Sequence, residues 1–258
     1  MTTGCIIQAR MGSTRLPGKV MMDVEKGKHV LYFVINQLQH CKLIDKIIIA
    51  TTNLEEDNKI VECCNDLDIN CFRGSSNDVL DRYYRCAKEY SISTIVRIPS
   101  DKPLIDPEIV DHIIQVFKSN SYDCVTNFLP ATFPNGTEVE VFSFEALQSA
   151  WKNAELPSEK EHVTPYIYSH KDRFRIFNVT NSEDLSQYRW VVDTIEDLNL
   201  VQQIVSKIKK RPILMKDILE LFKKEPQLPE INKNVWREEG NIKSIKEDEE
   251  YLKSKNKF

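Results

Sequence analysis

Cys5-Ile6-Ile7-Gln8-Ala9-Arg10-Met11-Gly12-Ser13-Thr14-Arg15-Leu16-Pro17-Gly18-Lys19 is a short apolar strand running straight into a loop of small and basic residues. The loop carries three cations and no carboxylate; the first acidic residue is Asp23. Gly12, Ser13 and Thr14 are small enough for backbone N–H groups to approach an anion closely. Arg10 and Arg15 can fork onto phosphate oxygens, and Lys19 adds a compact charge. This is the equipment a triphosphate needs at the carboxyl end of a strand, although a solvated basic loop has the same composition. Other phosphate loops fit less well. Five residues separate Gly12 from Gly18, and Val20 rather than Ser or Thr follows Lys19, so the spacing is not that of a Walker A loop. The G-x-G-x-x-G pattern is absent as well.

Outward from this strand, strand and helix signals alternate. An apolar helix passes through Leu31, Phe33, Val34, Ile35 and Leu38. Lys46–Ala50 reads as a strand buried on both faces, 55–65 as a helix, Ile69–Phe72 as a short strand and Asp78–Tyr90 as a helix. Thr94–Ile98 is the next strand. Asp106-Pro107 then has the chemistry of a helix start, and the helix keeps Ile109, Val110, Ile113, Ile114 and Phe117 on one face. Cys124–Thr126 is a further strand. Alternation of this length means βαβ units and a mostly parallel sheet, an α/β fold. Such sheets bind ligands beyond the carboxyl ends of their strands, which directs attention to the loops after Ala9, Ile98 and Val192.

The rhythm changes near Asn127. Residues 128–136 are a loop with two prolines, and Glu138–Phe144 alternates like an antiparallel strand. Helices are expected near 145–152 and 161–168, and strands at Phe174–Val179 and Tyr188–Val192. The segment 127–187 reads as an α+β insertion that covers the site or pairs subunits. Helices at Ile195–Lys210 and Met215–Lys224 complete a domain of residues 1–225, and a charged tail follows over 226–258, helical from Asn241 to Lys257.

Composition narrows the functional classes. A formal net charge of −4 argues against wrapping nucleic acid. The seven cysteines are odd in number and form no C-x-x-C pair, so they read as core residues in a reducing compartment. No apolar run approaches the ~20 residues of a membrane span. A cytoplasmic location is expected.

Two aspartates complete the chemistry. Asp101 follows the strand ending at Ile98, and Asp193 follows the strand expected to end at Val192. Both fall on the ligand side of the sheet, where they can meet and hold Mg²⁺, a cation that takes one or two carboxylates plus phosphate oxygens and water. Asp101 in Ser100-Asp101-Lys102-Pro103 is equally compatible with a simple turn, and Asp193 with a helix cap.

The set of motifs resembles the CMP-sugar-acid synthetases, and within them the branch of spore-coat polysaccharide cytidylyltransferases. It comprises the loop 8–19, Arg73-Gly74-Ser75 with Asp78–Arg82, Asp101–Pro107, Glu138–Phe142, Glu161–Tyr166 and Arg189–Thr194. The resemblance implies a Rossmann-like nucleotidyltransferase fold, similar to that of GT-A glycosyltransferases, and a homodimer. It also implies CMP transfer from CTP to a small acidic acceptor, with Mg²⁺ as cofactor. On this basis Arg10, Arg15, Lys19 and Asp101 are the catalytic candidates. Ala9, Gly12, Ser13, Thr14, Arg73, Gly74, Ser75, Asp78, Arg82 and Ser100 would surround the nucleotide. Asp101 and Asp193 would hold the metal, and Glu138, Glu140, His162 and Tyr166 would face the acceptor. Relatives often carry glycine before the first metal aspartate, where this chain has Ser100, and Cys or Glu after it, where this chain has Lys102. Each residue also has a plainer reading: an Asp78–Arg82 pair along one helix face, two solvated glutamates, a structural histidine. A different base or a phosphonate acceptor is an alternative. A metal-dependent glycosyltransferase is another; its D-x-D motif would have to be Asp66-Leu67-Asp68.

Overall fold

The computed structural model describes residues 1–235 and 239–255. Among the described residues nine strands occur in chain order: β1 (Thr3–Gln8), β2 (Asp23–Glu25), β3 (Lys28–His29), β4 (Lys46–Thr52), β5 (Asn70–Gly74), β6 (Thr94–Pro99), β7 (Cys124–Thr126), β8 (Glu140–Ser143) and β9 (Ile176–Asn178). The helices are α1 (Val30–Leu38), α2 (Asn58–Asp66), α3 (Val79–Glu89), α4 (Pro107–Ser119), α5 (Phe144–Asn153), α6 (Pro157–His162), α7 (Pro165–Ser169), α8 (Ile195–Lys207), α9 (Met215–Lys224) and α10 (Glu239–Lys255).

Seven strands form one sheet in the order β5-β4-β1-β6-β8-β7-β9. β5, β4, β1 and β6 run parallel. β8 is antiparallel to both β6 and β7, and β9 is parallel to β7, so β8 is the reversed strand. Its first residue, Glu140, therefore lies at the end of the sheet where the parallel strands finish, opposite Arg97. The segment 127–187 contributes β8 and β9 to this sheet. Burial on both faces explains the unbroken apolar strands. Cys5 and Ile7 of β1 pack with α1, α2 and α4 on one face. Ile6 packs with α3, α5 and α7 on the other. α8 and α9 build a third cluster around Trp190 and Phe33.

Asp106 starts α4 as its residues suggest: its side chain accepts from the N–H groups of Glu108 and Ile109, and Pro107 takes the first helical position. Two expectations are corrected. The single helix expected over 161–168 is two, because Val163 turns to φ 73° and Thr164 precedes Pro165, which starts α7. The strand expected at 188–192 is extended but joins no sheet. The N–H groups of Trp190 and Val192 donate to the carbonyls of Asn135 and Asp101, so loops take the place of a neighbouring strand. Some bounds move as well. β8 starts at Glu140, α8 stops at Lys207, and the β2–β3 hairpin around Gly27 (φ 72°) was not anticipated. α10 covers most of the charged segment expected to be helical; Lys257 lies outside the described residues.

Candidate active site

The basic loop emerges from β1 where the parallel strands end. The N–H of Ala9 donates to the Ala50 carbonyl and that of Ser100 to the Gln8 carbonyl, so the loop's root is tied into both neighbouring strands. Gly12, Thr14 and Arg15 form its exposed crest. The chain then closes on itself: the Met11 carbonyl accepts from the N–H groups of Ser13 (2.8 Å) and Gly18 (2.9 Å). Gly18 adopts φ 72°, a conformation that favours glycine, and Lys19 follows it into a short 3₁₀ turn.

Lys19 is the centre of the site. Its ammonium donates to Asp101 Oδ2 at 2.9 Å and to Asp193 Oδ1 at 2.8 Å. Arg15 reaches the same Asp193 oxygen at 2.8 Å. Arg189 donates to Asp193 Oδ2 at 2.9 Å and grips both oxygens of Asp197. Asp197, fully buried, also accepts from the N–H groups of Asp193 and Thr194 and from Asn232. Burial opposes the charge on Lys19, but Asp101 and Asp193 outweigh it and hold the ammonium above the ordinary lysine value. For Asp193, burial likewise pushes upward, and Lys19, Arg15 and Arg189 together hold it below the usual carboxylate range. Asp193 is thus ionised, and both aspartates converge on one small cation.

This donor set fits a divalent cation. Two carboxylate oxygens already converge on a single positive charge. That is the sparse protein contribution magnesium accepts when phosphate oxygens and water fill the remaining positions.

A second polar group adjoins the first. Lys102, beside Asp101, pairs with Glu138 Oε2 at 3.1 Å and donates to its carbonyl at 2.8 Å. Glu140 pairs with Arg97, and its other oxygen accepts from the hydroxyls of Thr164 and Tyr168, each at 2.5 Å. Arg97 also donates to Gln8 Oε1. Arg10 crosses to Glu161 of α6 at 3.0 Å, and the neighbouring His162 shares a hydrogen bond of 2.7 Å with Ser244 of α10. Burial, then Arg97, lowers the proton affinity of His162, which keeps the ring neutral near pH 7.

Several residues named from the sequence sit elsewhere or do something plainer. The Arg73 guanidinium is turned to the β4–α2 connection, donating to the carbonyls of Thr52 and Leu54 and to Asn58. Asp78 caps α3, and the Ser75 hydroxyl accepts from the Asp78 N–H. Arg82 does not pair with Asp78; it runs buried beneath the loop root to the carbonyls of Ser75 and Ala50. Gly74 is required by that arrangement, since a Cβ there would sit 2.9 Å from Phe72 and 3.0 Å from Arg82. Tyr166 stacks on His170, and its hydroxyl accepts from Arg173; it is the neighbouring Tyr168 that reaches Glu140. Glu140 is held by three protein donors. Asp66-Leu67-Asp68 precedes β5, at the opposite end of the sheet from Lys19, which removes the motif a glycosyltransferase reading required. Asp197 and Asn232 were missed, and Arg189 was quoted within a motif without a role, because no spacing rule joins residues 8 and 35 positions apart into one hydrogen-bonded group.

A mostly parallel sheet whose first strand ends in a basic loop closing on two aspartates is the framework of a nucleotidyltransferase. The cytidylyltransferase family model matches residues 4–246. The chain is 32% identical over 229 residues to the spore coat polysaccharide biosynthesis protein SpsF of Bacillus subtilis, covering 86% of this chain and 94% of that one. It is 40% identical over 247 residues to an uncharacterized protein of Methanocaldococcus jannaschii, covering 95% and 98%. Among solved structures, a cytidylyltransferase from Leptospira borgpetersenii superposes with a TM-score of 0.85 at 35% identity, covering 88% of this chain and 96% of that one. The chain belongs to the cytidylyltransferase family. Among the described residues no helix is long and apolar enough to cross a membrane.

Proposed function

We propose that this nucleotidyltransferase moves CMP from CTP onto a hydroxyl of a sugar acid of the nonulosonic or 2-keto-3-deoxy type, releasing pyrophosphate, in the assembly of a surface glycan. The observation that carries the reading is the convergence of Asp101 and Asp193 on Lys19 at the foot of the basic loop. The motif resemblance to CMP-sugar-acid synthetases and the spore-coat role in SpsF's name support the sugar-acid acceptor and the glycan setting. In this reading the enzyme works in the cytoplasm as a homodimer.

Attack of the acceptor oxygen on the α-phosphorus, its hydroxyl proton passing to water, forms the new P–O bond and breaks the bond to the α–β bridging oxygen, so negative charge grows on the departing pyrophosphate. Such a step is catalysed chiefly by positioning and electrostatics. Arg15 and Lys19 are placed to exchange their carboxylate partners for phosphate oxygens, and Arg10 likewise for Glu161. Asp101 and Asp193, released from Lys19, would hold Mg²⁺. The metal, when bound, neutralises phosphate charge and fixes the α-phosphoryl group. Arg189 and Asp197 keep Asp193 oriented throughout.

The test is pyrophosphate release with Mg²⁺, crossing the four nucleoside triphosphates with a panel of sugar acids and phosphonates. Release with CTP and one sugar acid bears the proposal out. Release with a phosphonate, or only with another triphosphate, overturns the acceptor or the base assignment. Silence with every pair overturns the transfer itself.

A further inference from the structure

Asp57 belongs to no motif in the sequence, and it lies directly beneath the loop. It closes the short 3₁₀ turn Glu55–Asp57 between β4 and α2, and its side chain is fully buried at 0% exposure. Oδ1 accepts from the Met11 N–H at 2.7 Å. Oδ2 accepts from the Thr52 N–H at 3.3 Å and from the Thr52 hydroxyl. Met11 is thereby held from both sides of its residue, since its carbonyl receives Ser13 and Gly18. The same turn also walls the loop: a Cβ on Gly12 would meet Glu56 Oε1 at 3.2 Å.

Burying a carboxylate costs free energy unless its oxygens are hydrogen-bonded. Here the bonds run to the backbone of the one residue around which the basic loop closes, and to the end of the adjacent strand. We propose that Asp57 is a positioning residue for the triphosphate. By fixing the Met11 peptide it sets the direction of the Gly12–Arg15 crest and the points from which Arg10 and Arg15 depart. The inference rests on the proposed reading of the loop as the triphosphate site.

The chemistry of the carboxylate supplies the discriminating variants. Asp57→Asn keeps an oxygen for Met11 at the same reach but removes the charge and turns an NH₂ donor towards the Thr52 N–H, so it lowers the melting temperature without moving the Met11 peptide. Asp57→Glu keeps the charge but moves it outward by one methylene, displacing the Met11 peptide. Affinity for inorganic tripolyphosphate and for CTP with Mg²⁺ is measured by calorimetry on the full chain, with melting temperature as the control for folding. If position governs, Asp57→Asn stays within about threefold of wild type for both ligands, and Asp57→Glu weakens both by about tenfold or more, as loss of one to two well-aligned hydrogen bonds would. The proposal is overturned if Asp57→Glu binds as wild type does. It is equally overturned if Asp57→Asn tightens tripolyphosphate binding, because Asp57 would then act only as a repelling charge. It also fails if both variants lower the melting temperature while leaving affinity unchanged, which is a purely structural role. If wild-type protein binds neither ligand, the triphosphate reading falls first and takes this inference with it; if wild type binds both, the variants judge Asp57 alone.

Discussion

The backbone N–H of Val192 donates to the carbonyl oxygen of Asp101 at 2.8 Å. This one bond joins the turn after β6 to the extended segment before α8, and it sets the two site aspartates side by side. Among the described residues, Lys19, Arg15 and Arg189 face Asp101, Asp193 and Asp197 across this centre. A triphosphate that drew Lys19 and Arg15 away would leave the aspartates exposed to a metal at that moment.

Asp101→Asn and Asp193→Asn should each lower kcat by on the order of 100-fold, the scale set by removing one preorganised electrostatic contact from a transition state. Steady-state pyrophosphate release in Mg²⁺ measures it. Near wild-type turnover in both variants would remove the metal assignment.

Lys19→Met leaves two carboxylates facing one another without their shared cation. Removing one partner of a buried pair costs about 3–5 kcal/mol, and the part-exposed Asp101 places this case at the low end. The melting temperature should fall by roughly 5–10 °C for a chain of this size. Added Mg²⁺ should restore part of the loss in the variant and leave wild type without nucleotide unchanged. Calorimetric melting with and without Mg²⁺ decides the matter.

Glu140 sets an acid limit on stability. Burial pushes its proton affinity up, but Arg97 and the hydroxyls of Thr164 and Tyr168 outweigh burial and hold it below the usual carboxylate range. A carboxylate lowered on folding contributes stability above its unfolded pKa of about 4.3, and that contribution is lost as pH falls through the lower folded value. Glu140→Gln should therefore flatten the acid side of the stability curve below about pH 4.3, while costing stability at pH 7 through the uncompensated Arg97. Urea midpoints between pH 3 and 7 would reveal either a changed or an unchanged slope.

His162 acts in a different window. Its proton affinity is lowered on folding, so the unfolded chain binds the proton more readily, and stability must decline as pH drops below the unfolded value of about 6.5. His162→Gln should remove that decline. Ser244→Ala should retain it, since burial and Arg97 are the leading causes. Urea midpoints from pH 5 to 8 on the three proteins compare the slopes directly.

How much of this could be read beforehand depended on the range of the interaction. The parallel core, the cap at Asp106 and the basic loop are local in sequence, so periodicity and composition expose them. The joining of Asp101 to Asp193 was legible only as a rule about strand ends. Its physical instrument, the Val192–Asp101 bond, belongs to a segment that looks like a strand and pairs with loops. Asp57 and Asp197 were invisible for the opposite reason: a buried carboxylate bonded to backbone N–H groups leaves no pattern in its neighbours. Arg73 misled because a guanidinium that braces a turn and one that meets a ligand look the same in one dimension.

Glu161 and His162 are consecutive, yet Glu161 takes Arg10 from the first loop while His162 takes Ser244 from α10, which also caps α6 through Asp248 and the Ser158 N–H. During synthesis, the loop and the sheet are translated long before α10 leaves the ribosome exit tunnel. A nascent chain therefore carries the basic loop early, whereas the neighbourhood of His162 is completed only after α10 has emerged.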